Sequence, residues 1–109
     1  MNLTFTTERL QRLLESQKEI RKAFGKESER KILRQMALLR GAESMRDVFS
    51  GPGKWHELDG DRKRQCSGGA GGGFRIIVEP VPPVPLKQDG GVDWAGVDSV
   101  HVVGVEDYH

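Results

Sequence analysis

Four residues at one point of the chain, Glu106-Asp107-Tyr108-His109, carry groups that bind or move protons, directly after the run Val100-His101-Val102-Val103-Gly104-Val105. A chain end ordinarily frays, but a strand running straight into this one would hold it in place. His56, beside Trp55, and the arginines at 62 and 75 widen the question. Histidine suits proton transfer because its unperturbed pKa lies near neutrality. Arginine suits phosphate because its planar fork pairs with two oxygens at once. Together they suggest chemistry on a phosphodiester. Metal-free RNA cleavage uses the ribose 2′-hydroxyl as an internal nucleophile. It needs a base for that proton, a cation at the phosphate and an acid for the 5′-oxygen. Each residue also has a plainer reading. His56 suits a surface strand, His101 a packed or idle position in an apolar strand, and Tyr108 a cover for the core edge or a platform for a base. Residue types and spacing alone do not pick out a nuclease.

Other chemistries find less support. His56, His101 and His109 form no local cluster and the single Cys66 makes no thiolate site, so no metal or other cofactor is expected. Cys66 reads as a small filler in a strand rather than a reactive thiol. No serine nucleophile elbow is present. The run Ser67-Gly68-Gly69-Ala70-Gly71-Gly72-Gly73 lacks the Lys-Ser/Thr and following helix of a phosphate loop. No stretch approaches a membrane span, and Met1 to Phe5 lacks the basic and apolar regions of a signal peptide, so a cytoplasmic protein is expected. Net charge is +1 but uneven: Glu8 to Arg46 carries eleven basic and six acidic residues, while Lys87 to His109 sets one lysine against five acids. Such polarity fits a polyanion on one side and a basic partner on the other, or simply solvated faces.

The elements that must position these groups follow from periodicity. A length of 109 residues predicts one domain, 1–109. Leu3 to Thr6 suits a short first strand, with Thr6 or Thr7 capping a helix. Leu10, Leu13, Leu14, Ile20 and Phe24 make one stripe, which Gly25 ends. A second helix, about Ser28 to Arg40, brings Ile32, Leu33, Met36, Ala37 and Leu39 towards a core. The break between them suggests a helical hairpin, and Ser44 to Val48 one further turn. Beyond Ser50 the pattern changes to strands: Trp55 to Leu58, Lys63 to Ser67, Phe74 to Val78 and Ser99 to Glu106. The glycine run supplies flexibility where a hairpin is expected. Pro80 to Pro85 reads as an extended connector, with Asp89-Gly90-Gly91 as its turn. The sum is α+β: two N-terminal helices on a small, mainly antiparallel sheet.

The stretch Trp55-His56-Glu57-Leu58-Asp59-Gly60-Asp61-Arg62-Lys63-Arg64-Gln65 resembles the His-x-Leu-x-Gly-Asp-Arg block of bacterial plasmid-maintenance killer proteins, the HigB-like toxins of the RelE/ParE superfamily. Phe74 to Pro80 resembles the strand that follows, Pro83 to Trp94 an insertion of one subgroup, and Val105 to His109 the family terminus. Glu19 to Gly25 and Arg40 to Met45 fit the helical half. The resemblance spans essentially the whole chain.

It implies the toxin of a type II toxin–antitoxin system with a RelE-like fold. Such a toxin is an endoribonuclease that cuts mRNA in the ribosomal A site without metal, inhibiting translation. The implied partners are the ribosome, mRNA and a helix-turn-helix, HigA-like antitoxin, through which the pair reaches its operator DNA. By position, His56, Asp107, His109 and Arg75 match the catalytic set, with Arg75 at the scissile phosphate. Arg62 matches a basic position and Tyr108 a base-positioning one, and with them Lys63 and Arg64 are expected to bind RNA; Arg62 alternatively pairs with Asp61 to hold the turn. Three departures stand out: Arg64-Gln65-Cys66 where the family has Gly-Gln-aromatic, the glycine run where apolar and polar residues alternate, and Asp59 where lysine is frequent. They leave room for a ParE-like gyrase inhibitor, or for a weakened, antitoxin-binding regulatory member.

Overall fold

A computed structural model describes residues 1–108. In chain order these form β1 (Asn2–Phe5), α1 (Glu8–Leu14), α2 (Gln17–Phe24), α3 (Lys26–Gly41), α4 (Met45–Phe49), β2 (His56–Glu57), β3 (Cys66–Gly71), β4 (Phe74–Pro80) and β5 (Ser99–Asp107). The expected first helix is two. Thr7 starts α1, its hydroxyl accepting from the Leu10 amide at 3.0 Å. Ser16 is extended (φ −116°, ψ 112°) and its hydroxyl accepts from the Glu19 amide, so it starts α2. Ser16-Gln17-Lys18-Glu19 has the capping-box spacing, a second start signal inside an uninterrupted apolar stripe. Gly25 (φ +91°) then turns the chain directly into α3, in place of a longer break.

The sheet order is β1-β5-β4-β3-β2, antiparallel except for β1 against β5. All four helices contribute to one core, Leu14, Ile20, Ile32, Met36, Leu39, Met45 and Val48 with Cys66, Ala70, Ile76, Val78, Val100 and Val102 of the sheet. Expected α+β architecture and observed fold agree. None of the helices is long and apolar enough to cross a membrane. The turn expected at Asp89-Gly90-Gly91 is present, with Asp89 Oδ1 accepting from the Gly91 amide at 2.8 Å.

The glycine run is the main revision. Residues 66–71 form a paired inner strand, β3, and only Gly72 and Gly73 make the turn, both, like Gly71, at positive φ. The Trp55 ring lies where a side chain at Gly68 would stand: a Cβ there would be 2.0 Å from Trp55 Cε2. The indole N–H donates to Gln35 Oε1 at 2.9 Å, while the Gln35 amide donates to the carbonyls of Gly69 (3.2 Å) and Pro52 (3.3 Å). Burying an indole removes ~150–250 Å² from water, worth on the order of 5 kcal/mol. That outweighs the ~0.5–1 kcal/mol ordering cost of one glycine. An aromatic ring does anchor this edge, from position 55 rather than 66.

Candidate functional site

The register of the sheet decides which side chains share a face, because directly opposed residues point the same way. Ile76 and Val78 face the helices, so Arg75 and Ile77 face away. One cross-strand row runs His56–Ser67–Ile77–Gly104, and the next runs Gly69–Arg75–Glu106. His56, Arg75 and Glu106, widely separated in sequence, thus occupy adjoining rows of one face.

His56 and Arg75 meet on a single atom. The Lys54 carbonyl accepts from Arg75 Nη2 at 3.2 Å and lies 3.1 Å from His56 Nδ1. A carbonyl only accepts, so Nδ1 donates to it, and in the neutral ring the lone pair is on Nε2. Lys54 has φ +51°, a left-handed backbone that a non-glycine residue adopts at some cost. Arg75 is held further by Nε donating to the Ser67 hydroxyl and Nη2 to the Ser67 carbonyl, the latter at 3.1 Å. Nη1 makes no hydrogen bond among the described residues and remains open to a ligand.

The same edge carries a pocket of about 310 Å³ lined by Lys31, Arg34 and Gln35 of α3, Pro52 to Lys54, Gly69, Gly71 and Arg75. Four of these are cations and none is a carboxylate. Lys31, Arg34 and Lys54 were not among the sequence candidates. The available signal was Lys31 and Arg34 three apart, which share a helix face.

One strand over from Arg75 on this face, Arg62 is bound to Glu106, not to Asp61. Nη1 and Nη2 donate to the two carboxylate oxygens at 2.8 and 2.6 Å, and Nε to Gln65 Oε1 at 2.9 Å. Gln65 in turn donates to Glu79 at 3.2 Å. The Tyr108 phenol also acts on the Arg62 guanidinium, and the Tyr108 amide donates to the Gly73 carbonyl at 2.7 Å, fastening the strand end to the β3–β4 turn. Asp107 is opposite Phe74, whose ring packs edge-on against Phe24. Asp107 therefore emerges on the helix side of the sheet, away from His56 and Arg75. Lys63 and Arg64 are exposed on the β2–β3 loop, where the Arg64 amide donates to Glu57. His101 is tied to β1, its Nδ1 2.8 Å from the Thr4 hydroxyl. It lies five residues along β5 from Glu106, about 17 Å at the usual strand rise. His109 lies outside the described residues. Burial pushes the Cys66 thiol up to about 12, so it stays protonated at neutral pH and serves as core filler.

The hydrogen bond from Arg62 holds the Glu106 carboxyl below its ordinary range. A lowered folded pKa means stabilisation that is complete above the unfolded value and lost as pH falls through the folded one. Glu106→Gln is therefore expected to shrink the loss of thermal stability between pH 7 and pH 3, read from melting curves. An undiminished acid loss would show that this pair does not set it.

No family model and no curated protein matches the chain. Among solved structures, a YoeB/ParE toxin from Agrobacterium tumefaciens is similar over the whole of both chains, with a TM-score of 0.58 and 16% sequence identity. At that identity the likeness is one of fold, an α+β toxin fold of the YoeB/ParE type.

Proposed function

We propose that this chain is the toxin of a type II toxin–antitoxin pair, HigB-like within the RelE/ParE superfamily, and that it cuts ribosome-bound mRNA. The observation that carries the reading is the convergence of His56 and Arg75 on the Lys54 carbonyl, beside a pocket of unopposed cations. The toxin fold of the Agrobacterium structure supports it.

In this reading Arg75, positioned through Nε and Nη2, presents Nη1 to the scissile phosphate and offsets the charge that grows there. The Nε2 lone pair of His56 accepts the ribose 2′-proton, and the 2′-oxygen attacks phosphorus with loss of the 5′-oxygen. His109, by its resemblance to the family's terminal histidine, gives the proton to the leaving 5′-oxygen. Asp107, on the opposite face from Arg75, has no part at this phosphate, and Tyr108 stacks on a base. Lys63 and Arg64 attract the RNA backbone. Arg62, engaged by Glu106, holds the strand end. The reaction needs no metal because its nucleophile is internal. A HigA-like antitoxin would silence the toxin in the cytoplasm and bring it to operator DNA.

The test is to express the chain alone and with its neighbouring helix-turn-helix gene, and to map mRNA ends in growing cells. Expected are growth arrest relieved by the neighbour and new ends at codon-linked positions. Arrest with altered DNA supercoiling and intact mRNA would replace the reading with gyrase inhibition. Neutralisation-competent binding of the neighbour without arrest would replace it with a regulatory role.

A further inference from the structure

We propose that the pocket between α3 and the loop before β2 is an anion subsite that holds a second backbone phosphate of the RNA, adjacent to the one cut. The identification of the ligand as RNA rests on the function proposed above; the anion preference rests on geometry. Lys31 and Arg34 project from one face of α3, Lys54 from the loop and Arg75 from β4, and all four line one cavity of about 310 Å³. That volume is at the small end of ligand sites, suited to a nucleotide-sized group.

The make-up of the wall sets the cluster apart: four cations and no carboxylate line it. The chain holds 17 basic and 16 acidic residues. Among the described residues, four cations outside this pocket (Arg12, Arg21, Arg40 and Arg62) have carboxylate partners within 4.0 Å. Among the described residues Lys31, Arg34, Lys54 and Arg75 have none, a state they share with most cations of the chain but, unlike those, around one cavity. Like charges gathered around one concave surface favour an anion there. The backbone at the strand end makes room for Lys31. Gly71 has φ +77°, and a Cβ there would stand 2.7 Å from the Lys31 side chain. Lys31 thus lies across the strand end only because residue 71 has no side chain. Arg75 belongs to both this pocket and the His56 site, so an anion here adjoins the scissile position along one strand.

Lys31 and Arg34 are exposed and their side chains make no hydrogen bond or ion pair among the described residues, so Lys31→Gln/Arg34→Gln should fold as the parent does, checked by circular dichroism. The probe is a short 2′-O-methyl RNA oligonucleotide, which binds but cannot be cut, titrated over a range of salt. The double variant is expected to bind roughly 10–100-fold more weakly, as for loss of charge-assisted hydrogen bonds. Its salt slope should be shallower by about 0.7, the single-strand value for one phosphate. Unchanged affinity and slope would overturn the subsite while leaving the His56 chemistry intact. Weakened RNA binding by the variant, with no mRNA cutting by the parent, would keep the subsite and remove the nuclease reading. Parent-like RNA binding with lost antitoxin binding would assign the pocket to an acidic protein segment and overturn the proposal.

Discussion

His56→Ala is expected to lower mRNA cleavage by roughly 10²–10⁴-fold, the range for loss of a general acid or base, without loss of fold. The imidazole is exposed and makes one internal hydrogen bond, to the Lys54 carbonyl, so little packing depends on it. Nδ1 is engaged by that carbonyl, so in the proposed reaction Nε2 is the nitrogen left for the substrate. His56→Gln keeps a polar group of similar reach but cannot shuttle a proton at neutral pH, and should be almost as inactive. Cleavage is read as new mRNA ends per ribosome, with melting temperature measured in parallel. A rate within a factor of about two of the parent, too small for loss of a proton carrier, would exclude His56 from the chemistry.

The largest effect on stability is expected from Trp55→Ala. Truncating a buried aromatic side chain costs about 3–5 kcal/mol, against a typical total of about 5–15 kcal/mol for a domain. The cost is reinforced here because Gln35 Oε1 loses its indole donor inside the protein. The mechanism makes a sharper demand. Gly68→Val should destabilise the parent, since its Cβ would collide with the indole, and should be milder or favourable beside Trp55→Ala, where the space is vacant. Urea unfolding of the four proteins measures that coupling. Equal costs for Gly68→Val in both backgrounds would mean the ring does not fill the site.

The α+β class was readable because apolar periodicity changes from helical to alternating near Ser50, and that change survives errors in detail. Its errors have physical causes. The stripe from Leu10 to Phe24 continues through a helix break, so only the Ser16–Glu19 cap could reveal two helices. The strand character of β3 was hidden because its pairing partner for packing, Trp55, sits thirteen residues earlier and supplies the side chain that Gly68 lacks. For the site, His56 and Arg75 were identified by residue type and by resemblance. The atom joining them, a backbone carbonyl, has no signature in any alphabet of side chains. Lys31 and Arg34 lie in a basic stretch that reads equally as a polyanion surface or as a solvated helix face, because charge on a helix does not announce which cations converge. The bond between Arg62 and Glu106 depends on strand register, which is set by tertiary pairing.

The place of β5 in the sheet bears on how the molecule comes to be. Thr4 and His101 meet across a separation of 97 residues, and β5 lies between the first strand and β4. Contacts so distant in sequence close large loops before they yield any stabilisation, and they slow folding. The β3–β4 hairpin can pair early, with His56 and Arg75 on its edge. The Arg62–Glu106 clasp and the strand end that bears Asp107 form only once β5 is inserted. During biosynthesis the helical half and the hairpin would therefore precede the complete surface, and competence would be acquired late and all at once.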